Sequence, residues 1–353
     1  MRTTRLVGID LAYVISLLGT MAFGLFIVIG DRLIYLSHDH YFPFLDIFPA
    51  LFLFLNGLTT TLTLRDRRIS STKLFSFTSK KGSILLIIGL LLSPLWPVNI
   101  FVCAGVFYMF APFVARYSTP ILVVLGVLIG LAAIATLNFG VLSFVKYSTI
   151  ELSGSGIKDF LGFFLFNGYF SILPWAAFFL AGLVIGRSHL QMKSLLGPSN
   201  MIAFILIFSG YFLQKLTADY YINREILPVE GNIFLLNYKM YLPGFILYAT
   251  GICFLFINLC IYALNNVENK KYMNLLNAIS GAKYSIYTWH LVLGIITRKI
   301  FTSESFSNKY LLLAYILMNM YFSVWAILQW KKKVTDLGPI EWIMKRLSSS
   351  VRN

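Results

Sequence analysis

Blocks of about twenty apolar residues recur along almost the whole chain, and a block of that length is what a helix needs to cross a bilayer. In hydrocarbon every backbone N–H and C=O must be satisfied inside the segment, so such blocks fold as helices. The expected spans are 7–30, 46–64, 82–95, 98–115, 119–138, 169–186, 200–216, 243–264, 284–301 and 309–330. The third is the shortest and runs into "SPLWP", where the prolines end or kink it. Composition agrees: of 353 residues 58% are apolar and 12% are charged, against about 25% charged in a soluble domain. The expectation is an all-α, polytopic transmembrane bundle of about ten helices, forming a single domain over 1–353.

The net charge of +15 brings nucleic acid to mind, but no nucleic-acid-binding motif accompanies it. Topology explains it better. With the N-terminus inside, the inner loops hold Arg2, Arg5, Arg65, Arg67, Arg68, Lys73, Lys80, Lys81, Arg116, Arg187, Lys193, Lys270, Lys271, Lys283, Lys331, Lys332, Lys333, Lys345, Arg346 and Arg352. That is 20 of the 29 basic residues. The asymmetry is the positive-inside pattern and places both termini in the cytoplasm. Arg2 and Arg5 precede a run as long as a full span and without a convincing cleavage site, so it reads as the first transmembrane helix rather than a signal peptide. Cys103, Cys253 and Cys260 all lie in apolar blocks, in neither metal-ligand nor disulfide spacing, and read as small core residues; no metal is expected.

Two outer loops are long. One contains "SGSGIKD", a turn; the other contains "ADYYINREILPVEGN", whose aromatic, carboxylate and amide groups suit carbohydrate or headgroup contact, or a plain interfacial aromatic belt. The same face carries the most polar cluster, "SHDHYFPFLDIFP". His38, Asp39 and His40 precede a span that opens on Asp46. A carboxylate there is favoured by the helix dipole without any further role. The cluster as a whole asks for more, because ionisable groups at the edge of hydrocarbon are costly. A neutral imidazole can take a proton from a hydroxyl or amine, or attack an acyl carbon. A nearby carboxylate can orient the ring and stabilise the imidazolium. His40 and Asp46 are six residues apart, and a turn at Pro43 would bring them together.

Several stretches, in order, carry a resemblance. "TRLVGIDLAYVISLLG" has Arg5 and then Asp10. "FPFLDIFPALFLFLNGLTTTLTLR" has an Asp, a Phe-Pro pair, an aromatic-rich run and Gly57. "GYFSILPWAAFFLAGLVIGR" has Pro174, Trp175, Gly182, Gly186 and Arg187. "ISGAKYSIYTWHLVLG" sets His290 after a Tyr-rich run, and the tail reads "DLGPIEWIMKRL". Together these resemble the heparan-α-glucosaminide N-acetyltransferase family and its bacterial relatives, within the wider transmembrane acyltransferases. Tyr13 stands where the family's first helix usually has Arg, and Gly24 where some relatives carry His.

The resemblance implies a catalytic His shortly before the Asp, so His40 or His38 with Asp46. It also implies acetyl-CoA or another acyl-CoA as co-substrate, with donor contacts assigned to Arg187, Arg65, Arg68, Lys283, His290 and Trp175. Each of these has a plainer reading. Arg187, near His189 at an inner helix end, is a positive-inside anchor; His290 is a hydrogen-bonded core residue; Asp10 is an N-terminal helix cap. The expected activity is acyl transfer to a hydroxyl or amine of an extracytoplasmic sugar or glycan. The expected setting is a bacterial cytoplasmic membrane, with lipid and a second copy of the chain as candidate partners. Two other classes stay open: a transporter or flippase of a small molecule or lipid-linked glycan, and a non-catalytic relative acting as a membrane partner.

Overall fold

Prolines and asparagines punctuate the apolar blocks, and the helices begin where they stand. In a computed structural model of the chain, which describes residues 7–29, 45–64, 71–138, 164–165, 169–187, 197–223, 242–264, 269–301 and 308–349, helices start at Pro198, Pro243 and Pro339, and Pro120 is the second residue of another. Proline suits a first turn because its fixed φ is already helical and its missing N–H has no partner there. Asn269 and Asn308 cap two more, accepting the backbone N–H of Tyr272 at 3.2 Å and of Tyr310 at 2.9 Å.

The described residues hold twelve α-helices and no strand. They are α1 (Val7–Ile29), α2 (Ile47–Leu64), α3 (Ser71–Leu92), α4 (Phe101–Val114), α5 (Thr119–Asn138), α6 (Ile172–Ile185), α7 (Pro198–Asn223), α8 (Pro243–Leu264), α9 (Lys270–Ser280), α10 (Lys283–Ile300), α11 (Lys309–Lys333) and α12 (Pro339–Ser349). Each of the ten expected spans holds one of them. Six, namely α1, α2, α3 from Phe75, α7 to Thr217, α8 and α11, are long and apolar enough to cross a membrane; α4, α5 to Ala135 and α6 are shorter apolar helices.

Three differences from the sequence expectation have physical causes. Helix α3 begins at Ser71, not near 82, because its first half is polar and a search for apolar runs passes over it. Lys73, Lys80 and Lys81 are therefore helical rather than loop residues. Helices α9 and α12 are too polar to be spans and bury only one stripe each: Leu276 and Ile279 in α9, Ile340 and Met344 in α12.

The chain divides into two compact units, one of Met1–Leu55, Leu190–Met201 and Cys253–Asn353, the other of Asn56–His189 and Ile202–Ile252. In the first, α1 packs against α9, α10 and α11, and α10 against α11 and α12. A span window of α1 is 67% buried, while that of α11 is only 28% buried and exposes Leu311, Leu317, Phe322 and Trp325. In the second unit α3 packs on α4, and α5 and α4 pack on α6. There α7 shows Ile202, Ile205, Phe208 and Phe212 on its outside. Outer helices that present large apolar side chains belong in lipid, where that exposure costs nothing.

Close helix crossings in the second unit are built on glycine. A Cβ on Gly82 of α3 would lie 2.6 Å from Met109 N and 2.7 Å from Gly105 O; one on Gly105 of α4 would lie 2.6 Å from Leu86 N. Gly210 of α7 and Gly244 of α8 face each other the same way: a Cβ on the first would lie 2.8 Å from the second's carbonyl oxygen. Without a hydrophobic driving force between helices in lipid, contact of this closeness is what holds them together.

Candidate functional site

Asp46 is buried, with 4% of its surface exposed, in the turn that opens α2. The turn is closed by Phe48 N–H donating to the Leu45 carbonyl at 3.3 Å. Phe48 then lies over Gly19 of α1, which has no side chain to obstruct the ring. The carboxylate thus stands at the start of an apolar helix whose Phe48 packs on the middle of another. His38 and His40 lie outside the described residues, as do Arg65, Arg68 and His189.

A second polar group forms in the same unit where α1, α9 and α10 meet. Asp10, buried in the first turn of α1, accepts the Ser280 hydroxyl at 2.6 Å. This is a tertiary bond from the end of α9 to the first turn of α1. Lys283, at the start of α10, places its ammonium 4.1 Å from the centre of the Tyr13 ring and 5.1 Å from that of Tyr284, and donates to the Ser280 carbonyl at 3.4 Å. The Tyr13 ring meets Phe52 edge-on at 6.2 Å, and Phe52 meets Tyr284 at 6.4 Å. A cation therefore sits on residue 13 even though that residue is Tyr: α10 supplies it.

The start of α10 is held from the chain's far end. Ala282, its N-cap, has no side chain that can cap. Glu341 of α12 does this instead, accepting the N–H groups of Tyr284 at 2.8 Å and Ser285 at 3.3 Å and the Ser285 hydroxyl. Ser285 Oγ in turn accepts Ile340 N–H at 2.9 Å. The Gly-Pro-Ile-Glu tail is thus a clasp: Gly338 allows the approach, Pro339 starts the helix and Glu341 closes it. Glu341→Ala is expected to cost about 1–2 kcal/mol, as loss of a helix cap does, and to lower the unfolding midpoint in detergent. An unchanged midpoint would show that the clasp does not hold α10.

His290, fully buried in the middle of α10, has Nδ1 3.0 Å from Asn319 Oδ1 of α11. Asn319 Nδ2 donates to the Tyr315 hydroxyl at 3.1 Å, so its oxygen faces the imidazole and Nδ1–H is the donor. His290 is in this respect a hydrogen-bonded interior residue that ties α10 to α11.

In the other unit Arg187, just past α6, donates to Thr119 Oγ1 at 3.1 Å and to the carbonyls of Ala115 at 3.0 Å and Tyr117 at 2.7 Å. These bonds fasten α6 to the turn between α4 and α5, and cap carbonyls that end α4. Trp175 is buried between Phe170, at 5.1 Å, and Phe178, at 5.7 Å. Its place is an aromatic core that Phe178 extends to Phe245. Sequence reasoning passed over a further group here. Lys81 of α3 lies 3.7 Å above the Tyr108 ring of α4, and the Tyr108 hydroxyl donates to Asn56 Oδ1 of α2 at 2.8 Å. The signal was available as two lysines at the head of an apolar run, which a loop assignment absorbed. Among the described residues no three His, Cys, Asp or Glu side chains gather where a metal ion could be held.

Among the described residues the architecture is all-helical, with helices long and apolar enough to cross a membrane and apolar outer faces, as in a helical membrane protein. Comparison of the chain with protein-family models, with curated proteins and with solved structures finds no match.

Proposed function

We propose that the protein transfers an acyl group, acetyl in the first instance, from acyl-CoA across the membrane to a hydroxyl or amine of an extracytoplasmic sugar or glycan. The observation that carries the reading is Asp46, a carboxylate buried where an apolar helix begins, six residues after His40 and eight after His38. An acid in that position costs free energy unless it serves a partner. An imidazole is one partner within reach in the sequence.

The chemistry needs one base. His40 or His38 takes the proton from the acceptor O–H or N–H as that atom attacks the thioester carbonyl. The C–S bond breaks as the new C–O or C–N bond forms, and the CoA thiolate leaves and takes up the proton from the imidazolium. Asp46 holds the ring in place and stabilises its positive charge during the transfer. In the same unit, Lys283 on its two tyrosine rings would give the donor's phosphates a fixed cation. Ten crossings with both ends in the cytoplasm of a bacterial inner membrane, the arrangement the lysine and arginine distribution supports, would put donor and acceptor on opposite sides. The ordered resemblance to heparan-α-glucosaminide N-acetyltransferases supports the same reaction class.

Proteoliposomes test this directly. Acetyl-labelled acetyl-CoA is supplied on the cytoplasmic side, with glucosamine and glucose enclosed on the other as amine and hydroxyl acceptors. Label on an acceptor, dependent on the protein, is the expected result. Movement of the sugar itself without any donor would establish a transporter instead.

A further inference from the structure

Helices α9 and α12 are too polar to cross a membrane, yet both are fastened to one end of the same group of apolar helices. Ser280, the last residue of α9, donates to Asp10 in the first turn of α1 at 2.6 Å. Lys331, in the last turn of α11, donates to the Ala278 carbonyl of α9 at 3.1 Å. Glu341 of α12 accepts Tyr284 N–H, in the first turn of α10, at 2.8 Å. These bonds lie where α1 begins and α11 ends, and both of those helices are long and apolar enough to cross a membrane. A short amphipathic helix held at the end of a crossing helix lies at the level of the lipid headgroups.

Each of the two helices leaves apolar side chains uncovered beside its buried stripe. Tyr272 and Leu275 of α9 are 39% and 46% exposed, and Ile343 and Leu347 of α12 are 40% and 51% exposed. Residues three or four apart share a helix face, so each pair makes a small apolar face of its own. Cations stand next to these faces. Lys270, Lys271 and Lys345 are exposed on the two helices, and Lys332 and Lys333 are exposed in the last turn of α11. Lys271 precedes Leu275 by four residues and so shares its face. The carboxylates of α12 and the turn before it are Asp336 and Glu341, and Glu341 is turned inward to cap α10. Lys270 and Lys271 also take the first two positions of α9, which has no acidic residue in its first turn. The helix dipole disfavours cations there, and an anionic surface outside the chain offsets that cost.

We propose that α9, α12 and the end of α11 form an interfacial platform that binds anionic phospholipid. Its exposed apolar side chains enter the boundary of the acyl chains, and its lysines meet the headgroup phosphates. Apolar contact alone suits any lipid, and charge alone suits any soluble anion. The two side by side fit a molecule that carries both. The platform stands on this unit's own residues and does not depend on the acyl-transfer reading.

The full chain, purified in a neutral detergent, is titrated with phosphatidylglycerol or with phosphatidylcholine, and the lipid it retains is counted by native mass spectrometry. The parent should retain phosphatidylglycerol at the lower concentration. A lysine close to an anionic surface contributes about fivefold in affinity, so removing two should raise the phosphatidylglycerol required by at least about tenfold. That is the result expected for Lys270→Gln with Lys271→Gln, and for Lys332→Gln with Lys333→Gln. Leu275→Ser with Ile343→Ser should weaken retention of both lipids. Arg298→Gln with Lys299→Gln removes two exposed cations from the opposite end of α10 and should match the parent. Lys270→Arg with Lys271→Arg should match it too, which keeps the test decisive if a glutamine pair does not fold. Glycerol 3-phosphate, a headgroup without chains, should displace no lipid. A parent without preference for phosphatidylglycerol would overturn the proposal and leave the platform to an acidic protein. Glutamine or serine pairs that bind as the parent does would overturn it, as would a folded arginine pair that loses the preference. An equal loss in the Arg298 and Lys299 control, or displacement by glycerol 3-phosphate, would do the same by showing general attraction of anions.

Discussion

Acyl transfer is expected to fall by about 10²–10⁴-fold when His38 and His40 are both changed to Ala, the usual contribution of a positioned general base. The two single variants sort the pair: the one that loses most of the rate is the base, and the other is a neighbour. Asp46→Asn keeps the size and hydrogen-bonding outline of the buried side chain while removing its charge, so the protein should fold. Its transfer rate should still fall, because the imidazolium formed during proton abstraction is no longer stabilised. Three comparisons are therefore made on the same preparations: initial rates with labelled acetyl-CoA, unfolding midpoints, and donor binding. A double variant that binds donor, unfolds at the parent temperature and transfers at an undiminished rate would remove the histidines from the mechanism.

The largest structural effect is expected at the crossing of α3 and α4. Gly105→Leu introduces a side chain whose first carbon already lies 2.6 Å from Leu86 N and 2.8 Å from Leu86 Cα. Both are backbone atoms, so no rotamer change relieves the clash and the helices must separate. Overpacking of this sort costs about 1–3 kcal/mol, and more where backbone has to move. Since close packing is what associates helices in lipid, the loss is not recovered by burying the new leucine. A strong fall in the unfolding midpoint is the expected outcome, while the like change at Gly126, which has nothing within 4 Å of its Cβ position, should be nearly silent. Equal midpoints for the two variants would contradict the packing described for this unit.

The helices were legible because apolar length is a property of the chain alone. Each of the ten apolar runs overlaps a helix, and the differences follow from using that one signal. The polar first half of α3 hid its start, so Lys81 was read as a loop anchor. In α9 and α12 the information was periodic rather than continuous: Leu276 with Ile279, and Ile340 with Met344, mark one buried face each. Asp46 could be singled out because it stands beside histidines in the sequence. The partners of Asp10, Glu341 and His290 could not, since each lies on another helix: Ser280 is 270 residues from Asp10, Glu341 reaches Tyr284 across 57, and Asn319 is 29 from His290. A tail that reads as a family signature is thus, in the structure, a cap for a helix that has none of its own. Arg187 shows the reverse. Its charge was legible, but the three oxygen atoms it donates to belong to a turn some seventy residues earlier and could only be found by folding the chain.

The central claim is that a histidine beside Asp46 acts on a CoA thioester. A cryo-electron-microscopy structure with CoA at saturating concentration tests it most directly. The account predicts CoA bound between the helices, with its thiol within hydrogen-bond reach of His38 or His40 and that ring turned toward Asp46. A CoA whose thiol ends away from both histidines, or a protein that binds none, would contradict it.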